Sequence, residues 1–569
     1  MKKITTTLLL VLAMNLHAQF SYHQAFTMGN SGYDSGQDVA VDNAGNVYVV
    51  GSFNAAFDAD PGPGFTLLTP IGDDGFLAKY NDAGAMQWAQ RFGGTGFDAG
   101  WDVEVQGTTV YVTGIFSSSD ADFDPGPATA TLTNHGGTDA FVARYGLDGS
   151  FISVLGVGGS EDDTSINIEV DGGGNFAITG SFESTDMDAD PGSGTTTLAT
   201  TSGLDVFLIK FSAAQVMLFG VAFGGGGNLD SDRALGLHMA ATGDIYVTGS
   251  FSSTGGDFDP GPGVTTLNSA GSIDIFVSKF NPTGALQWAQ RIGDTGGDLG
   301  YGLATDSNGD LYLCGYANST TIDLDPGPNV ENFSSGEGQD IVVVKLDPLG
   351  SYIWGLRIGG GSSDIAFEAV VDDEDHLFVA GNFGDANVDF DPGAGSAPLS
   401  STSAFETDLF LAQFDTDGNF VDAFDAGNTG MDAIWSAACT PTGRLWVTGN
   451  TTGAVDADPG PGIALVDSLG SSDVFVGAYD HVHPVGLREL EEEQFTLYPN
   501  PARDRVTIDM RVQGSGMLEL EDSEGRILLT QTVASFPLVL DLRMVPAGIH
   551  TLNFLQEGKR YTRKLLKVP

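Results

Sequence analysis

Short apolar runs, each four to eight residues long, alternate along most of this chain with turns rich in Gly, Asp and Asn. The runs come in sets of four. In the first set Gln37-Asp38-Val39-Ala40-Val41-Asp42 alternates, Asn43-Ala44-Gly45 turns, and Asn46 to Phe53 reads NVYVVGSF. A long loop leads to Gly75–Tyr80, then a turn at Asn81-Asp82-Ala83-Gly84, then Met86–Phe92. Runs rich in β-branched and aromatic residues between such turns predict strands. The order recurs. Second runs read TVYVTGIF, NFAITGSF, DIYVTGSF, DLYLCGYA, HLFVAGNF and RLWVTGN, and third runs read DAFVARY, DVFLIKF, DIFVSKF, DIVVVKL, DLFLAQF and DVFVGAY.

Four antiparallel strands repeated radially is the arrangement of a β-propeller blade. The last set ends at Asp473–Tyr479 without a fourth run, and Phe20–Phe26 near the N-terminus matches the missing one. The pattern therefore predicts an all-β chain: a seven-bladed β-propeller over 19–480, closed by its N-terminal strand. An open solenoid would need no such exchange, and pairing the two ends covers a sheet edge.

The long loop of every set carries the same acidic unit, D-x-D-P-G, at intervals of about 64 to 69 residues. A period in this range marks repeat architecture. The paired acids are Asp58 and Asp60, Asp122 and Asp124, Asp188 and Asp190, Asp257 and Asp259, Asp323 and Asp325, Asp389 and Asp391, and Asp456 and Asp458. Two further columns keep step. One follows each fourth run (Asp34, Asp98, Asp163, Asp232, Asp298, Asp364, Asp432) and one opens each third run (Asp74, Asp139, Asp205, Asp274, Asp340, Asp408, Asp473). Strand alternation places all three columns on one face. Calcium takes six to eight oxygen ligands, and an extended D-x-D points two carboxylates to one side, so the fourteen paired acids are candidate calcium ligands. The alternative is that Asp caps the loop through backbone N–H groups while Pro-Gly sets the turn. No other cofactor is implied.

Two more positions repeat. Trp88, Trp288 and Trp354 share a fourth-run position and are read as inter-blade packing, the alternative being an aromatic platform for carbohydrate. Lys79, Arg144, Lys210, Lys279 and Lys345 share a third-run position and are read as partners of nearby carboxylates. Cys314 and Cys439 are too few for a disulfide framework and are read as small apolar residues.

The net charge of the 569-residue chain is −52, with 41% hydrophobic residues and 80 glycines. That content fills a core and excludes a disordered chain. Residues 19–486 hold about 10 basic and 63 acidic residues, whereas 487–569 hold about 11 and 12. The acidic body excludes nucleic acid and anionic membrane surfaces as partners. Lys2 and Lys3, an apolar stretch from Leu8 to Met14, and Leu16-His17-Ala18 read as a secretory signal, residues 1–18, cleaved before Gln19. No stretch approaches the length of a transmembrane helix.

After Tyr479 the period stops. Residues 481–494 read as a linker; its His481 and His483 form an H-x-H pair whose alternatives are metal binding and an incidental pair, and it is read as incidental. Short alternating runs over 495–569 predict a small β-sandwich. Within it the YPNP start (Tyr498-Pro499-Asn500-Pro501), the segment Ala547-Gly548-Ile549-His550-Thr551-Leu552-Asn553-Phe554 and the basic RKLLKVP end resemble the C-terminal sorting domain of the type IX secretion system. The family usually has Tyr where this chain has His550. The resemblance implies export through an outer membrane by the type IX machinery, acting through 495–569, and release or attachment at the surface. The body resembles SBBP β-propeller repeats, with Asp274-Ile275-Phe276-Val277-Ser278-Lys279 through Trp288 matching their pattern. That resemblance implies fold and surface location and no reaction.

The recurring residues are those of a scaffold, whereas catalysis needs one asymmetric constellation. The expectation is a secreted or surface, non-enzymatic binding or adhesion propeller with an extracellular glycan or protein as ligand. The alternatives are a polysaccharide hydrolase or lyase and a structural surface-layer component. Residues that break the repeat, such as Arg233, His238 and His376, would carry any chemistry.

Overall fold

A computed structural model describes residues 20–481 except 201–202, 226–230, 335–337, 403–405, 429 and 461. In the C-terminal part it describes 495–498, 502–510, 516–521, 526–534, 537–543, 545–546, 548–556 and 559–568. The chain divides into two compact units, Met1–Val482 and His483–Pro569. The expected signal segment, and all of the expected linker but His481, lie outside the described residues.

Among the described residues the first unit contains seven four-stranded antiparallel sheets. Blade 1 is Asp34–Val41, Val47–Phe53, Asp74–Tyr80 and Met86–Phe92, in that order across the sheet. Blades 2 to 6 repeat this order from Asp98, Asp163, Arg233, Asp298 and Ile365. Blade 7 joins Ala433–Cys439, Arg444–Thr451 and Asp473–His481 to the N-terminal strand Phe20–Met28. The clasp is in register from Phe20 opposite His481 to Met28 opposite Val474. The third strand thus extends one residue into the expected linker, because Phe20 supplies its pairing partner. First strands of successive blades pack side by side, and that of blade 7 packs on that of blade 1.

The burial pattern follows from this stacking. Third strands such as Asp74–Tyr80 and Asp274–Phe280 are buried at every position, because neighbouring blades cover both faces. Outer strands such as Met86–Phe92 alternate. Each core lies between two blades: Tyr48, Val50 and Leu77 of blade 1 pack with Val112, Phe116 and Phe141 of blade 2. Cys314 is buried, Cys439 is half-buried, and both are free thiols.

The second unit pairs a three-stranded sheet (Phe495–Tyr498, Arg505–Met510, Leu538–Asp541) with a four-stranded one (Gly516–Glu521, Ile527–Val533, Gly548–Gln556, Lys559–Lys567). Val506, Ile508 and Leu540 share one apolar core with Leu518, Leu552 and Phe554. His550 is buried, with Nε2 2.8 Å from the Pro546 carbonyl oxygen.

Candidate functional site

Six of the seven D-x-D-P-G units form two-stranded hairpins, such as Phe57–Asp58 with Leu67–Leu68, and in blade 2 a single antiparallel bridge joins Asp122 to Thr131. The middle residue of each (Ala59, Phe123, Ala189, Phe258, Leu324, Phe390, Ala457) is fully buried, so the flanking acids point away from the core. In all seven, Oδ1 of the first Asp accepts from the N–H two residues on and the N–H eight residues on. For Asp58 these donors are Asp60 at 3.1 Å and Thr66 at 2.7 Å. The same pair of bonds recurs at Asp122, Asp188, Asp257, Asp323, Asp389 and Asp456. Oδ1 of the second Asp accepts from the Gly N–H of Pro-Gly, from 2.7 to 2.9 Å at Asp60, Asp124, Asp190, Asp259, Asp325, Asp391 and Asp458. One oxygen of every paired carboxylate therefore closes its own loop. The loop also latches the preceding blade: Asp122 and Gly93 exchange backbone hydrogen bonds at 3.1 Å, and equivalent bridges join Gly158 to Asp188 and Gly29 to Asp58.

The other two columns lie beneath this rim, none more than 6% exposed. They meet in pairs across the seams, each third-strand Asp beside the first-strand Asp of the next blade: Asp74 with Asp98, Asp139 with Asp163, Asp473 with Asp34. Asp98 accepts from Gly94 N at 2.7 Å and from Ser117 N at 3.1 Å, so it binds the loops on both sides. Burial, the largest cause, pushes Asp34 and Asp364 up to about 7 and Asp163, Asp232 and Asp408 up to about 6; the paired carboxylate pushes the same way. Three pairs gain an arginine: Arg91 on Asp74 at 2.7 Å, Arg291 on Asp274 at 3.0 Å and Arg357 on Asp340 at 2.8 Å.

On the opposite face, Lys79 Nζ and Trp88 Nε1 donate to one acceptor, the Leu147 carbonyl of blade 2, at 3.0 and 3.1 Å. Lys279 with Trp288, and Lys345 with Trp354, hold Pro348 and Thr416 of the next blade in the same way. Arg144 donates to Ala213 at 2.7 Å, while Lys210 meets the Met239 sulfur at 3.5 Å. The repeated tryptophans and cations are inter-blade braces.

The residues that differ between blades gather around the central channel, a cavity of about 940 Å³. Every first strand has a β-bulge three residues after its column Asp; in blade 1 the register shifts between Gly36 and Asp38, in blade 7 between Ile434 and Ser436. A bulge leaves one residue out of the ladder and re-aims it. The bulged positions are Gln37, Trp101, Ile166, Leu235, Tyr301, Phe367 and Trp435, all half-buried and lining the channel. Tyr301, Phe367 and Trp435 form an arc across three blades, with ring centroids 5.2 and 4.5 Å apart. Among the described residues the Trp435 indole N–H has no acceptor.

Deeper in, Glu104, Glu169 and His238 occupy one position on successive blades. His238 bridges Glu169 Oε1 at 3.1 Å and Thr305 Oγ1 at 2.9 Å. Asp38 accepts from Val103 N and Asp102 from Ile168 N, each at 2.7 Å, which ties blade 1 to blade 2 and blade 2 to blade 3. Burial, and after it the like charge of Asp38 or Glu169, pushes Asp102, Glu104 and Glu368 well above the usual carboxylate range. Of the repeat-breaking residues expected to carry chemistry, Arg233 and His238 line this channel, whereas His376 lies elsewhere. The acids and aromatics of the channel were not singled out from sequence. Their signal was variability, at positions three, four and six after an invariant Asp.

Radial four-stranded sheets around a lumen define a β-propeller. Residues 26–56 and 287–323 match the SBBP family described as a beta-propeller repeat, and residues 496–568 match the secretion system C-terminal sorting domain. The chain therefore carries β-propeller repeats and a type IX sorting domain, which makes it a protein of the outer-membrane surface or the exterior. It is 24% identical over 220 residues to an uncharacterized WD repeat-containing protein, L264, of Acanthamoeba polyphaga mimivirus, covering 35% of this chain and 16% of that protein. It is 27% identical over 139 residues to the regulatory protein FlaEY of Caulobacter vibrioides, covering 24% of this chain and 14% of that one. The matches span about one sixth of those relatives. A crystal structure of a structural genomics protein of unknown function from Bacteroides thetaiotaomicron aligns over 66% of this chain and 97% of its own, at 10% identity and a TM-score of 0.17, which supports no argument. Among the described residues no helix is long and apolar enough to cross a membrane.

Proposed function

We propose that the exported chain is a non-enzymatic binding propeller that takes a glycan at the mouth of its central channel. The observation that supports this reading is the aromatic arc of Tyr301, Phe367 and Trp435, placed by bulges where the repeat otherwise varies. Aromatic faces pack on sugar rings, and the carboxyls around them offer acceptors for hydroxyls. A cavity of about 940 Å³ suits a few sugar units, whereas a protein partner needs roughly 800 Å² of matching surface. A hydrolase would need two carboxyls held apart on either side of a glycosidic bond. Asp38 and Asp102 instead adjoin each other and accept backbone N–H groups.

The test is a glycan array probed with the full mature chain, followed by Trp435→Ala and Tyr301→Ala. Binding to a defined glycan, lost in both variants, is expected. Binding unaffected by either variant, or sugar release from a polysaccharide panel, would sink this reading.

A further inference from the structure

We propose that Asp372, His376 and His481 form a binding site for a borderline divalent metal ion, such as zinc or nickel, that fastens blade 6 to blade 7. The site sits where the brace described above changes its chemistry. In blades 1 and 5 an Asp at the first turn caps that turn with Oδ1 and faces the brace lysine with Oδ2: Asp42 lies 3.8 Å from Lys79 and Asp306 2.9 Å from Lys345. Asp372 caps its turn identically, Oδ1 accepting from Glu374 N and His376 N at 2.9 Å each. Blade 6, however, has Gln413 at the lysine position.

Two imidazoles take the place of the ammonium. His376 Nδ1 lies 2.9 Å and His481 Nε2 3.1 Å from the same atom, Asp372 Oδ2. His481 arrives by register. It stands eight residues after Asp473, as Leu147, Pro348 and Thr416 stand eight after Asp139, Asp340 and Asp408. In those blades the position offers a backbone carbonyl to the blade before it; blade 7 offers an imidazole.

The spacing suits a metal. Zinc–nitrogen and zinc–oxygen bonds of about 2.0 to 2.2 Å at tetrahedral angles separate neighbouring ligand atoms by about 3.3 Å. The three ligand atoms here lie within 4.8 Å of one another, and two of the separations are 2.9 and 3.1 Å. The two Asp–imidazole separations are already within a few tenths of an ångström of that spacing, and an ion would draw the two imidazoles in around it. His481 is buried against the Phe378 ring, 4.7 Å between centroids, which fixes its plane. His376 is half-buried and gives the ion an approach from solvent. Two imidazoles select a borderline transition metal over calcium, which prefers oxygen throughout. The site is separate from the D-x-D-P-G rim and from the channel.

The experiment titrates zinc, and cobalt as a spectroscopic probe, into the full mature chain after chelator dialysis. A single tight equivalent is expected, with the intense visible bands of low-coordinate cobalt. His376→Gln and His481→Gln should each abolish it, and His135→Gln should leave it intact. Should a variant fail to fold, the wild-type cobalt spectrum decides alone. No stoichiometric uptake, or uptake unchanged in both variants, overturns the site and leaves an Asp–imidazole brace.

Discussion

The rim and the channel of the propeller are made by the same strands and obey opposite rules. At the rim one device is used seven times: a carboxylate oxygen accepts two backbone N–H groups and a buried neighbour anchors the loop. In the channel one backbone feature, the bulge, is used seven times, but it presents Gln, Trp, Ile, Leu, Tyr, Phe and Trp. Repetition of a side chain marks what the architecture needs. Repetition of the backbone with different side chains marks where the architecture leaves a choice.

Removing a charge partner beneath the rim should break this comparison most severely. Arg357→Met leaves Asp340 buried beside Asp364 without its guanidinium, which should cost about 3 kcal/mol in urea unfolding. A cost near zero would mean that the pair holds a proton and needs no cation.

The buried pairs next predict an unusual pH dependence. Asp34 and Asp364 are pushed up to about 7, mainly by burial, from an unfolded value of 3.8. Between those values the folded chain holds more protons than the unfolded one, so the contribution of these groups to stability falls as pH rises from about 4 to about 7. Melting temperature should decline across that window. Asp34→Asn, which keeps an acceptor for Asn30 N–H, should flatten the decline and gain about 1 kcal/mol at pH 8. A profile that rises with pH in both proteins would contradict the pairing.

Single rim loops should matter less. Asp58→Ala removes the acceptor of two N–H groups at one of seven loops and should cost about 1 kcal/mol. The same melts with and without chelator test calcium at the rim. If the remaining carboxylate oxygens hold it, chelation should lower the melting temperature, and Asp58→Ala should shrink that shift.

The smallest effect belongs to the channel. Glu104 is pushed up by burial and by Glu169, so Glu104→Gln, which removes a like charge and keeps the shape, should change stability by less than about 0.5 kcal/mol. A large loss would make the channel acids part of the scaffold and erase the contrast with the rim.

Much of this was legible in the sequence because it is local. NVYVVGSF and DIFVSKF are strands whatever surrounds them, and the fixed interval between D-x-D-P-G units follows from four strands per sheet. The shared position of Trp88, Trp288 and Trp354 already implied a common contact. Less legible was the depth of the acids. The three columns share a face, but Asp34 and Asp98 are covered by the loops they cap, which linear spacing cannot show. The bulge was also hidden. An alternating run such as Gln37 to Asp42 gives no sign that Gln37 leaves the ladder, since that depends on the facing strand.

The chain by itself determined the strands, their order in each sheet and the loop chemistry of the rim, because these depend on side-chain period and on hydrogen bonds spanning no more than eight residues. Tertiary structure alone decided which acids pair across seams, which side chains share the channel, and that His481 meets Asp372 over 109 residues of sequence. Those contacts are set by how one blade stacks on the next, and stacking is a property of surfaces assembled from distant strands rather than of any one of them.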